Sequence, residues 1–86
     1  MMQELIFTDL RTILVECAGE EEDATFTEEV LDVPFTELGY DSLAVLETAA
    51  AVGQRYGVEL RDEDVADAVT PRAFLQLVNH ALSTAA

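Results

Sequence analysis

Apolar residues return at helical spacing in three stretches of the chain. Ile6, Leu10, Ile13, Leu14 and Cys17 fall on one side of a projected helix, with Asp9, Thr12 and Glu16 opposite, so the pattern predicts an amphipathic helix over residues 4 to 18, stopped by Gly19. From Glu20 to Asp41 that period is lost. The segment opens with the acidic run Glu20-Glu21-Glu22-Asp23 and contains Pro34 and Gly39, so it reads as a long first loop. Connections of this kind are uncommon in compact domains unless they carry function. Val30, Leu31, Val33, Phe35 and Leu38 are expected to pin it to the core, with a short turn over Thr27 to Leu31.

A second helix is predicted from Ser42 to Tyr56, and it bears two stripes. Val45, Ala49, Val52 and Tyr56 form a core face, while Leu43, Leu46, Glu47, Ala50 and Gln54 form a mixed face almost opposite, left for a visitor. Gly57 ends this helix. Asp62, Glu63 and Asp64 open a short third helix that includes Val65 and Ala66, with its acids where the helix dipole favours them. Thr70 and Pro71 start the last helix as N-cap and first helical residue, and Phe74, Leu77, Val78, Ala81 and Leu82 give it an inward face. No segment alternates for long enough to read as a strand. The expected fold class is therefore all-α, a small helical bundle of three principal helices plus one short helix, with a long first loop.

Composition limits what such a bundle can do. The chain has 86 residues, half of them apolar but only 7% aromatic and none of them Trp, which allows one domain with an aliphatic core. A domain of this size buries roughly 60 to 65% of the surface its unfolded chain exposes, so it cannot enclose a large substrate chamber. Charge excludes more. Against 18 Asp plus Glu stand four arginines (Arg11, Arg55, Arg61 and Arg72) and no lysine, for a net charge of −14, so no basic stripe exists to hold nucleic acid or an anionic membrane. A field of this sign steers the protein to partners with basic patches. The single cysteine, Cys17, lies on the inward stripe as a buried, inert thiol and fits a reducing compartment. With no leader pattern and no apolar run near the ~20 residues of a membrane span, the expected location is the cytoplasm, and the expected state a monomer.

One short segment carries candidate chemistry. Leu38-Gly39-Tyr40-Asp41-Ser42-Leu43 sets a hydroxyl at the start of the second helix after a glycine-marked turn. First-turn N–H groups are unpaired and partly positive there, so a phosphate esterified to Ser42 would be well received. The commoner use of Asp41 or Ser42 at such a place is simply to cap the helix. Spacing alone leaves both readings open.

The segment Gly39-Tyr40-Asp41-Ser42-Leu43, the acidic loop before it, the helix it opens and the later Asp62-Glu63-Asp64 and Thr70-Pro71 signals resemble an acyl carrier protein, and most of all the discrete carriers of bacterial type II (aromatic) polyketide synthases. The likeness runs over essentially the whole chain, which would make residues 1 to 86 a single acyl carrier domain. It implies that Ser42 receives a 4′-phosphopantetheine arm from coenzyme A, whose thiol then holds malonyl and growing polyketide chains as thioesters. It implies a non-catalytic subunit, with no metal of its own. Asp41 matches the acidic residue beside the modified serine, which either helps position a magnesium ion during arm attachment or caps the helix. Leu43, Leu46, Glu47 and Ala50 match the face presented to partners: the phosphopantetheinyl transferase, ketosynthase and chain-length factor, malonyl transferase, ketoreductase and other tailoring enzymes. Arg11, Arg72 and Asn79 border apolar arcs on the first and last helices. They are either ion-paired boundary residues or, as the likeness invites, contacts for the carbonyls of a tethered polyketide in a cleft between helices.

Other readings are a fatty-acyl or peptidyl carrier on the same scaffold, and an acidic helical adaptor with no cofactor. His80, the sole histidine, invites a Ser42-His80-Asp triad, but no Gly-x-Ser-x-Gly elbow surrounds Ser42. Asp62, Asp64 and Asp67 lack the glycine and final glutamate of a calcium loop and read as solvated helix-start acids.

Overall fold

The computed structural model describes residues 4–18 and 27–84. It is an all-α bundle: α1 (Phe7–Ala18), two 3₁₀ turns (Glu28–Val30 and Phe35–Leu38), α2 (Ser42–Tyr56), the short α3 (Asp62–Asp67) and α4 (Pro71–Thr84). Gly19 and the acidic run of residues 20–23 lie outside the described residues.

Local signals account for most of the helix ends. Gly57 closes α2 in the left-handed conformation (φ 69°), donating its N–H to the Gly53 carbonyl. The Val58 N–H donates to the same carbonyl at 3.1 Å. A Cβ on Gly53 would lie 2.8 Å from the Val58 carbonyl oxygen, so the chain can fold back there only over a glycine. Thr70 caps α4 as its sequence predicts, its Oγ1 accepting from the Ala73 N–H at 3.1 Å, and Pro71 is the first helical residue.

One core holds the helices together. Leu10, Ile13 and Leu14 of α1, Val45, Ala49 and Val52 of α2, Val65 of α3 and Phe74 and Val78 of α4 are all buried. Phe35 reaches in from the second 3₁₀ turn and meets Phe74 edge to face, with ring centroids 6.1 Å apart. Val30, Leu31 and Leu38 pack against the same core as expected, whereas Val33 is only partly buried and is not among the residues packed there. The first 3₁₀ turn falls within the expected Thr27 to Leu31. Thr48, absent from the predicted core face, is fully buried, and it escapes an unsatisfied hydroxyl by donating to the Ala44 carbonyl at 2.8 Å. Tyr56, expected on that face, is only partly buried, and the partial burial holds its phenol pKa above the usual value.

The start of α1 departs from the sequence reading. Ile6 is 53% exposed, whereas Leu5 and Phe7 are buried. The helix begins at Phe7 and not at residue 4, and ahead of it successive side chains point to opposite sides, so Leu5 turns inward and Ile6 outward. Asn79 of α4 holds this register. Its Oδ1 accepts from the Leu5 N–H at 2.7 Å, and its Nδ2 donates to the Leu5 carbonyl at 3.0 Å. Replacing Asn79 with Leu, similar in shape but unable to make either bond, is expected to cost about 1–3 kcal/mol in urea unfolding, because it strands two main-chain groups of a buried residue. A change within a few tenths of a kcal/mol would show that this anchor contributes little.

Candidate functional site

The site is built by the chain's approach to α2. After the second 3₁₀ turn, Gly39 adopts φ 90°, a conformation that favours glycine, and its N–H donates back to the carbonyls of Phe35 and Thr36. Tyr40 follows, buried, its N–H bonded to the Phe35 carbonyl at 2.9 Å. Asp41 is then held in extended geometry as the N-cap of α2, its Oδ1 accepting from the Ala44 N–H at 2.8 Å. The capping role thus falls to Asp41. Ser42 is the first helical residue, it is exposed, and no described residue hydrogen-bonds its hydroxyl. The first-turn N–H groups and the positive end of the helix dipole lie beside it, a suitable setting for a phosphodiester.

Beside Ser42 the bundle opens into an apolar cleft of about 590 Å³. Pro34, Phe35 and Thr36 form one wall, Val65, Ala66, Ala68 and Val69 the other, and Val45 and Leu46 the floor, while Tyr40, Asp41 and Ser42 lie along its edge. A chain of this length cannot enclose a large chamber, and this space is open to solvent, a furrow between α2, α3 and the loop. Two of its wall residues, Val69 and Thr36, drew no signal from the sequence. Val69 sits between two helices with no period to assign it, and Thr36 is a lone polar residue in a loop.

The four residues expected to meet partners share one side of α2 by their helical spacing and border different hollows. Leu43, 61% exposed, and Glu47 flank a smaller groove of about 240 Å³ on the α1 side of Ser42. Leu46, half-buried, belongs to the cleft, and it borders a further groove with the half-buried Gly53 and Leu60 and the exposed Ala50. Cys17 is half-buried and not fully inside as its stripe predicts. It sits near the end of α1, at the edge of the core, and faces the α1-side groove with Asp41 and Leu43.

Arg11, Arg72 and Asn79 are not gathered at Ser42, and none of them lines the cleft. Arg11 is partly buried on α1. Arg72 is ion-paired with Asp32, Nε to Oδ1 at 2.7 Å, a bond that raises the pKa of its guanidinium above the ordinary value. Arg55 pairs with Glu16 across the ends of α1 and α2 and is raised for the same reason. Asn79 is engaged with Leu5, as described above. His80 is exposed and borders a shallow depression with Asp64 and Asp67, apart from the residues around Ser42. Among the described residues no cluster of His, Cys, Asp and Glu could hold a metal ion, and no helix is long and apolar enough to cross a membrane.

A small acidic bundle with a free hydroxyl at a helix start, next to an open apolar cleft, has the parts of a carrier. Comparison with known proteins gives the same class: residues 9–78 match the family described as a phosphopantetheine attachment site. The granaticin polyketide synthase acyl carrier protein of Streptomyces violaceoruber is 47% identical over 85 residues, covering 99% of this chain and 100% of that one. The oxytetracycline counterpart from Streptomyces rimosus is 48% identical over 84 residues, covering 98% of this chain and 88% of that one. Among solved structures, the actinorhodin holo acyl carrier protein of S. coelicolor superposes with a TM-score of 0.88 at 45% identity, over the full length of both chains. The chain belongs to the acyl carrier proteins of type II polyketide synthases. It is accordingly a non-catalytic carrier that bears a covalent 4′-phosphopantetheine group and tethers acyl chains to it as thioesters.

The division of roles at the start of α2 can be tested directly. Asp41→Ala should lower thermal stability by about 1 kcal/mol, whereas Asp41→Asn, which can still accept from the Ala44 N–H, should lose only a fraction of that. Equal losses would show that the carboxylate acts otherwise than as a cap.

Proposed function

We propose that Ser42 is the residue that carries the phosphopantetheine arm and that residues 1 to 86 act as one carrier domain of an aromatic polyketide synthase. The carrying observation is the freedom of the Ser42 hydroxyl: Asp41 supplies the cap, so the serine can be esterified without undoing the helix start. The arm supplies a thiol that holds the acyl group. The protein's part is to fix the point of attachment, offer N–H groups to the phosphodiester and present a recognisable surface.

That surface is the exposed flank of α2. Leu43 offers an apolar anchor, Glu47 a neighbouring charge, and Leu46 and Ala50 continue the footprint toward α3. A net charge of −14 favours partners whose pockets are rimmed by Arg or Lys and speeds their encounter with this face. The partners are the phosphopantetheinyl transferase that installs the arm, the ketosynthase and chain-length factor, the malonyl transferase, and the ketoreductase and other tailoring enzymes. Each must bind briefly and let go, which suits an interface built on one apolar anchor within a charged rim. The carrier works as a monomer in the cytoplasm, where coenzyme A supplies the arm.

Incubated with coenzyme A and a promiscuous transferase, the wild type should gain the mass of one phosphopantetheine, and Ser42→Ala should gain none while keeping its helical circular dichroism. Modification of the alanine variant would overturn the assignment. Glu47→Lys should slow arm installation at low salt by about 10-fold or less, with the deficit shrinking as ionic strength rises. A salt-independent effect, or none, would remove Glu47 from the docking face.

A further inference from the structure

The two walls of the cleft come from distant parts of the chain, so something must set the distance between them. On the α3 side the restraint is slight: the helix has six residues, its N-cap Arg61 offers no side-chain cap and pairs with Glu63 of the same helix, and Val65 is its one buried residue. Across the cleft, three ties join residues 31–35 to residues 69–72. The Phe35 N–H donates to the Val69 carbonyl at 2.8 Å, linking two residues that both line the cleft. The Arg72 N–H donates to the Leu31 carbonyl at 2.9 Å. The Arg72 guanidinium grips the Asp32 carboxylate through Nε at 2.7 Å and a second nitrogen at 3.4 Å.

We propose that Asp32 and Arg72 are positioning residues, a charged latch that holds the loop wall of the cleft against the α3–α4 wall and so sets the cleft's width beside Ser42. The two main-chain ties follow from the fold, whereas the ion pair alone depends on side-chain charge. Asp32 stands three residues before Phe35 and Arg72 three after Val69, so the pair closes the next step along from the Phe35–Val69 bond and is placed to restrain local opening there. Both partners are largely exposed, so the pair adds little to global stability and acts on this local opening. The latch itself rests on the geometry of the unmodified chain. Its consequence for a carried acyl group rests on the reading of Ser42 as the attachment point.

Amide hydrogen exchange followed by NMR on the unmodified protein at low ionic strength tests the latch. Asp32→Asn and Arg72→Gln should each speed exchange of the Phe35 N–H by about two- to five-fold, the range an exposed pair commands, while the Val52 N–H in the middle of α2 keeps its wild-type rate. The reversed pair, Asp32→Arg with Arg72→Asp, should bring Phe35 back toward the wild-type rate. An unmoved Phe35 amide, equal acceleration at Phe35 and Val52, or failure of the reversed pair would each overturn the latch. In a second arm, the transferase installs octanoyl-phosphopantetheine from octanoyl-coenzyme A, with 3′,5′-ADP leaving, and loss of the thioester is followed by mass. Hydrolysis should quicken in Asp32→Asn by a similar factor, and a wild-type rate in a variant whose Phe35 amide has loosened would overturn the link to the carried chain. Failure to load any variant would count against Ser42, and the exchange experiment would still decide the latch.

Discussion

The bond from the Ala44 N–H to the Asp41 carboxylate, at 2.8 Å, is the contact on which the functional surface depends. A helix start must satisfy its first N–H groups, and serine is among the residues best suited to do so. Were Ser42 the cap, its oxygen would be committed to the helix, and esterifying it would weaken the element that presents it. With Asp41 in that role, the next residue is free to be changed. The dipole and the remaining N–H groups then favour the negative charge that modification brings.

The rest of the bundle keeps that junction in place. Gly39 turns the chain, Tyr40 and Phe35 anchor it in the core, and the edge-to-face packing of Phe35 on Phe74 ties the loop to α4. The core beneath is small and mainly aliphatic, with Phe7, Phe35, Tyr40 and Phe74 also buried in it, and space is left along α2 where the loop and α3 face each other. The cleft arises because two thin walls, anchored in the core through Phe35 on one side and Val65 and Ala68 on the other, meet over a floor of Val45 and Leu46. A carrier needs no enclosed chamber, and a domain of this size could not supply one.

How much of this could be read in advance follows from the range of each interaction. The limits of α2, its glycine stop and the Thr70 cap of α4 are set by neighbours a few residues apart, and the sequence declares them. The junction at Asp41 and Ser42 is visible too, though either residue could cap by its chemistry, and only the bond from the Ala44 N–H to Asp41 divides the labour. What the sequence hides is set by contacts across the chain. Asn79 fixes the register of Leu5 from 74 residues away, which turns Ile6 outward against its helical period. Arg72 meets Asp32 across 40 residues, and polarity alone cannot distinguish an ion-paired arginine from one waiting for a ligand. Cys17 belongs to the apolar stripe by spacing, but the stripe runs off the edge of the core at the end of α1, leaving the thiol half-buried.

The claim that capping and attachment fall to adjacent residues is tested most directly by the amide signal of Ala44, compared by NMR before and after the arm is installed. If the account holds, the Ala44 N–H remains bonded to Asp41 in both forms, with its position and slow exchange preserved while the signals of Ser42 and Leu43 move. A large displacement of Ala44 with loss of its protection would mean that attachment breaks the cap, and the account would be wrong.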